Sequence, residues 1–426
     1  MLMKRKLQFI YAFLILTGVT IFNSNTMSQV VMVTDSVTMG SGYANEIYYS
    51  MSDGVISSHP RNSWDISVRS RIMSSSILTN DGTGVILYTY PKADTSGWAI
   101  MDTTGYKSWK AMYNDPDDWE NGAFSRNAAG GLDFGWGIYN TSNHYITGDS
   151  LYIIQLRDGS LRKLWMQLKK AGEDMVYFRY ANIDGSDEHA ITLDCNYYTA
   201  KDFIGYSLLT NEVVDYQPDI SKWDIVFTKY MSVQQGETGI DTVYPVTGIL
   251  NNEEVYSEKF IHVPADFVSY NPYGWDSTRS SIGYDWKSFT GSGYAITDSV
   301  AYFVKTKAGD VYKLVFTKFA GSSSGKIIFK KGRVAGVGSE NKTSDSGIRV
   351  YPNPVKDEIN LWFNEPLPGN ATISLNDLTG KNIDQKNIPG NGTKYSINVS
   401  EITPGLYLLK VSSEKSTFLK KVIISR

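Results

Sequence analysis

One cysteine and four histidines in 426 residues leave little room for metal or redox chemistry. A single thiol excludes an intramolecular disulfide and a zinc ribbon, and four imidazoles leave little room for a His-rich metal cluster. Charge is also sparse. Charged residues make up 20% and the net charge is −3, which argues against a general nucleic-acid binder. Lys4, Arg5 and Lys6 and a basic stretch over 348–426 concentrate the positive charge, leaving 29–347 acidic. Only one long apolar run occurs, Leu7 to Phe22. It falls short of the ~20 residues of a spanning helix. With three basic residues before it and small polar residues through Ser28 after it, residues 1–28 read as a secretory signal peptide. No cysteine stands close after the run, so a lipid anchor has no acceptor thiol there. His-Glu-x-x-His, Gly-x-Ser-x-Gly and phosphate-binding glycine loops are missing too.

What is plentiful is aromatic and turn-forming. Aromatics reach 13%, with 29 Tyr, 10 Trp and 37 Gly. That bias favours strands joined by tight turns, so the expected fold class is all-β. One pattern occurs twice. Tyr49-Ser-Met-Ser-Asp-Gly-Val55 leads to Trp64-Asp65-Ile66, and Tyr206-Ser-Leu-Leu-Thr-Asn-Glu-Val213 leads to Trp223-Asp224-Ile225. A Gly- and Tyr-rich middle follows in each, then Trp136 or Trp286, then a closing meander (Leu151–Leu156, Leu161–Leu168 and Met175–Tyr180; Val300–Thr306, Val311–Phe319 and Lys326–Lys331). Leu164, Met166 and Leu168 recur at spacing two, as do Tyr312, Leu314 and Phe316, and each set is expected on one face of a strand. The long period indicates duplicated domains, set at 40–190 and 197–335. Each Asp next to its Trp points to the opposite face, where it is expected to cap a turn. Cys195 reads as a small buried hydrophobe.

Residues 336–347 lack apolar periodicity and read as a linker. Beyond them, five short alternating runs divided by Pro, Gly and Asn predict a small β-sandwich over 348–426. Val350-Tyr-Pro-Asn-Pro-Val355, Leu378-Thr-Gly380 and Pro404-Gly-Leu-Tyr-Leu-Leu-Lys-Val411 occur there in order. This segment resembles the type A C-terminal sorting domain of the type IX secretion system of Bacteroidetes. The resemblance implies export to the surface or medium and contact with the type IX machinery.

The two central copies resemble the HmuY-like haem-binding family, most specifically over Trp223 to Lys331 with its ending Asp310-Val-Tyr-Lys-Leu-Val-Phe-Thr-Lys-Phe319. The family fold is all-β. The resemblance implies a haem or related tetrapyrrole ligand, no catalysis, and an outer-membrane haem receptor as a further partner. Haem asks for a flat apolar slot and axial His or Met. In copy one the loop Trp136–Tyr145 offers His144, and the middle loop offers Met112 and Met101; the metal would sit on His144 and Met112. In copy two His262 is the candidate. Two other readings stay open. One is an adhesive surface protein on the same fold. The other is a glycan-active enzyme using the carboxylates of Asn114-Asp-Pro-Asp-Asp-Trp-Glu120. Asp-Ser/Thr pairs such as Asp149-Ser150 resemble O-glycosylation sequons and are equally ordinary turn residues.

Overall fold

In the computed structural model, described residues are 30–334 and 348–425, apart from Met73, 236–240, Pro272, 352–353, 364–365, 368, 378–379, 391 and 414–416. The expected signal peptide and linker lie outside them. The chain divides into two compact units, Met1–Gly338 and Ser339–Arg426.

The described residues of the first unit form four large antiparallel sheets and one two-stranded hairpin, Lys287–Phe289 with Tyr294–Ile296. Alternating apolar residues give each strand one buried face, and two such faces make a sandwich. In the first sandwich an outer sheet joins Tyr152–Gln155, Leu161–Lys170, Met175–Asn182 and His189–Asp194 with Ile86–Thr89 and Ala111–Met112, and the hairpin Gly137–Asn140/Tyr145–Gly148 pairs onto Leu161–Lys170. Its inner sheet runs Glu212–Val214, Phe203–Ser207, Ile66–Arg69, Ile77–Thr79. The core between them holds Trp136, Phe124, Phe178 and Cys195.

The second sandwich repeats this plan, but part of it comes from the start of the chain. Its outer sheet runs Val33–Thr38, Lys326–Arg333, Val311–Phe319, Ala301–Lys305, Tyr256–Phe260, and its inner sheet Gly54–Pro60, Asn45–Ser50, Ile225–Gln235, Asp241–Asn251. Tyr49 pairs with Ile225 as Tyr206 pairs with Ile66. Residues 33–60 thus do for the second sandwich what 189–214 do for the first. Strand pairing runs across the expected boundaries of 40–190 and 197–335: residues 64–216 form one sandwich set within another, built from 33–60 and 225–333. Hydrogen bonding between strands some 180 residues apart leaves no local trace in sequence.

One correction concerns Leu168. A bulge between Met166 and Leu168 shifts the register, so Leu168 leaves the core and Lys169 enters it. Lys169 is 2% exposed; its ammonium reaches the Arg71 carbonyl at 2.8 Å and the Asp174 carboxylate at 3.3 Å.

The Asp of each Trp-Asp pair caps a turn, as expected. The Asp65 carboxylate accepts the Leu208 N–H at 2.8 Å, and that of Asp224 accepts the Met51 N–H at 2.7 Å. The two inner sheets meet back to back over Tyr48, Trp64, Leu78, Phe203, Trp223 and Val226.

The C-terminal unit is a β-sandwich of three strands (Ile348–Tyr351, Glu358–Phe363, Lys394–Asn398) on four (Ala371–Asn376, Asn382–Ile388, Gly405–Ser413, Thr417–Ile424) over one apolar core.

Candidate functional site

The back-to-back junction is apolar at its centre and polar at one side. Gly82 there lies so close to the Lys229 carbonyl that a Cβ would fall 2.0 Å from it, so the turn of one sandwich seats on a strand of the other only without a side chain. Arg61 ties the same corner. Its Nε donates to the Tyr43 carbonyl at 2.7 Å and its Nη1 to the Gly82 carbonyl at 2.9 Å. Asn80 donates to the Arg61 and Trp64 carbonyls at 2.6 and 2.9 Å.

Two hollows open at this corner. An inner cavity of about 50 Å³ is lined by Glu46, Trp64, Asp81, Lys229, Tyr230 and Arg279, among others. A groove of about 860 Å³ lies beside it, with Asn45, Arg61, Asn62, Tyr113, Arg157 and Lys229 on its walls. The hollows share Asp81, Lys229 and Met231. Both sandwiches contribute to both.

Burial dominates the electrostatics. It pushes the Glu46 carboxyl up to about 7, against hydrogen bonds from the Tyr48 and Thr228 hydroxyls and the charge of Arg61. It pushes the Asp81 carboxyl up to about 7 as well, against the Asn114 N–H at 3.0 Å. Lys229 is lowered, first by burial and then by the like charge of Arg61. Arg279 is lowered by burial, and its guanidinium lies 3.7 Å over the Trp119 ring. Buried Trp64 Nε1, Thr79 Oγ1, Tyr230 Oη and Arg279 Nε have no hydrogen-bond partner among the described residues.

The residues expected to hold haem lie elsewhere, and the structure does not bring them together. His144 is exposed in the turn between Gly137–Asn140 and Tyr145–Gly148, at φ 60, with Nδ1 2.6 Å from the Tyr139 hydroxyl. Met112 is 2% exposed in the core of the first sandwich, where its sulfur accepts the Thr89 hydroxyl at 3.4 Å. Met101 is buried against Trp98, Tyr88 and Tyr90 on the outer face of the same sheet. Met112 pairs across to Leu87, whose side chain faces the core, whereas the adjacent Tyr88 faces outward. The two sulfurs therefore sit on opposite faces of one sheet and cannot share an iron. His262, at φ 58, is exposed after the strand Tyr256–Phe260.

The acidic stretch 114–120 is engaged in bonding. Asp115 pairs with Arg126 at 2.7 Å, Glu120 with Arg69 and with Ser74 at 2.6 Å, and Asp118 accepts the Glu120 N–H at 2.9 Å. Asp117 crosses the junction, its carboxylate accepting the Ser280 hydroxyl and its carbonyl the Arg279 N–H at 3.0 Å. No group of three or more His, Cys, Asp or Glu suited to a metal occurs among the described residues.

Sequence reasoning missed the groove. Its residues come from turns and strands far apart in the chain, and no local sequence pattern marks the place.

Residues 349–425 match the family model of the secretion system C-terminal sorting domain. No curated protein matches the chain. Among solved structures, a chain titled "Biofilm associated protein - BSP domain" is 9% identical with a TM-score of 0.15, over 95% of this chain and 67% of that one; a score so low carries no argument. The C-terminal unit is a type IX sorting domain, and the protein is secreted or displayed on the cell surface.

Proposed function

We propose that the paired sandwiches are a non-catalytic binding module, delivered to the surface by the sorting domain, and that the groove between them captures an adhesive ligand. The observation that carries this is the hollow of about 860 Å³ walled by both sandwiches. Such volumes suit small-ligand recognition, for which about 300–1,000 Å³ is usual. The test is to fill the groove. Asn62→Trp places a large ring on its wall; attachment of cells displaying the variant to host or biofilm surfaces is expected to drop to that of cells lacking the protein. Attachment at the full level removes the groove from the reading. Release of reducing sugar from a glycan substrate would favour the enzymatic alternative instead.

A tetrapyrrole ligand is the second reading, supported by the exposed imidazole of His144 at a hairpin turn. It requires a partner other than Met101 or Met112. Hemin titration of the full chain decides it. A Soret shift that saturates near one equivalent and is lost in His144→Ala supports haem, and a flat titration sinks it.

A further inference from the structure

The cations around the junction fall into two groups, paired and unpaired. Arg69 and Arg71 share Asp202 at 3.0 and 3.1 Å, and Arg69 also reaches Glu253 at 2.9 Å. Arg157 pairs with Asp65. Arg61, Lys229 and Arg279 have no carboxylate within 4 Å among the described residues. Arg61 spends its donors on carbonyls, Lys229 lies 5.7 Å from the Tyr43 ring centroid, and Arg279 stacks on Trp119. A cation withdrawn from water without a counter-charge is costly unless an anion joins it.

The lining of the hollows identifies that anion. Arg61 lines the groove, Arg279 lines the cavity and Lys229 lines both. Two of the four unpartnered atoms, Trp64 Nε1 and Arg279 Nε, are donors only and so ask for an acceptor. Three carboxylates share the lining: Glu46, Asp81 and, in the groove, Asp158. Glu46 already accepts from the Tyr48 and Thr228 hydroxyls and Asp81 from the Asn114 N–H, and burial moves both toward neutrality. Asp158, held by Ser160, keeps its charge; against it stand Arg61, Lys229, Arg279 and the Asp65-paired Arg157, so the remaining charge is positive. Besides Arg157 and Asp158, the groove offers Asn45, Asn62, Thr83 and Tyr113, neutral hydrogen-bonding groups suited to hydroxyls.

We infer that the groove takes an acidic saccharide, with a carboxylate of the sugar seated at Lys229, Arg61 on the groove side and Arg279 on the cavity side. This rests on the groove being the binding place. It adds that charge selects the ligand.

Titration calorimetry of the full chain tests it with three probes: tri-galacturonate, its neutral methyl ester, and an acidic tripeptide. The acid is expected to bind, and the ester at least tenfold more weakly. Lys229→Met is expected to lose at least tenfold in affinity for the acid at an unchanged melting temperature, and Lys229→Arg to retain most of it. Equal binding of acid and ester, or full affinity in Lys229→Met, overturns the inference while leaving the groove as a site. Tighter binding of the peptide overturns the saccharide assignment. Failure of all three to bind also overturns it, and the attachment assay with Asn62→Trp then decides separately whether the groove binds anything.

Discussion

At the scale of single residues, the twin Asp caps carry out in each sandwich what their position beside Trp implies. Each accepts backbone N–H groups of a turn that belongs to a strand far away in sequence. Removing a buried acceptor costs about 1–3 kcal/mol. Asp224→Ala is expected to lose about that much in urea unfolding. Asp65→Ala should lose more, because Arg157 also loses its partner. Glu46 and Asp81 set a pH dependence. Their folded-state values, pushed up to about 7, exceed the ordinary 4.5 and 3.8, so the folded state holds protons more tightly. The stability this gives is full below about pH 4 and is lost as pH rises through about 7. Thermal melts from pH 5 to pH 8 should show the melting temperature falling, and the fall should be shallower in Glu46→Gln. A profile identical in the variant would remove Glu46 from the explanation. The caps and buried Cys195 were legible because a side chain's local role follows from its type and strand parity. The groove was not, since Arg61, Lys229 and Arg279 become neighbours only after two sandwiches meet.

At the scale of elements, alternation located the strands of the two closing meanders and five of the C-terminal unit. Val311–Phe319 matches the run expected from alternation to the residue. Ile348–Tyr351 and Asn382–Ile388 were overlooked. The second is a largely exposed edge strand whose sequence is mostly polar, so no apolar period announces it. Parity failed at Met166/Leu168, where the bulge adds a residue that no pattern records. The pairing of 33–60 with 225–333 was illegible for a different reason. A strand's sequence shows how much of it is buried, not whose hydrogen bonds it takes. Val33 lies opposite Lys331 in an antiparallel pair, so the end of Lys326–Arg333 and the start of Val33–Thr38 are adjacent. A permuted chain carrying residues 30–62 after Val334 is therefore expected to fold with a melting temperature close to the parent's and to refold faster, its long-range closure having become a local hairpin. Refolding slower than the parent would contradict the insertion.

At the scale of the whole molecule, the sorting domain was the most legible part, since its three signature stretches sit in order within about 80 residues. Deleting 349–426 in a bacterium with a working type IX system is expected to strand the protein in the periplasm; detection at the surface in equal amount would contradict this. The order in which the sandwiches close has a further consequence. The inserted one has every strand at hand once residue 214 has emerged, whereas Met39, Ile47, Tyr49 and Met51, made far earlier, have nothing to cover them until residues 225–333 arrive. During synthesis and transit those side chains are expected to stay uncovered after their neighbour has folded, and the newborn polypeptide to need a holding chaperone more than its finished form does.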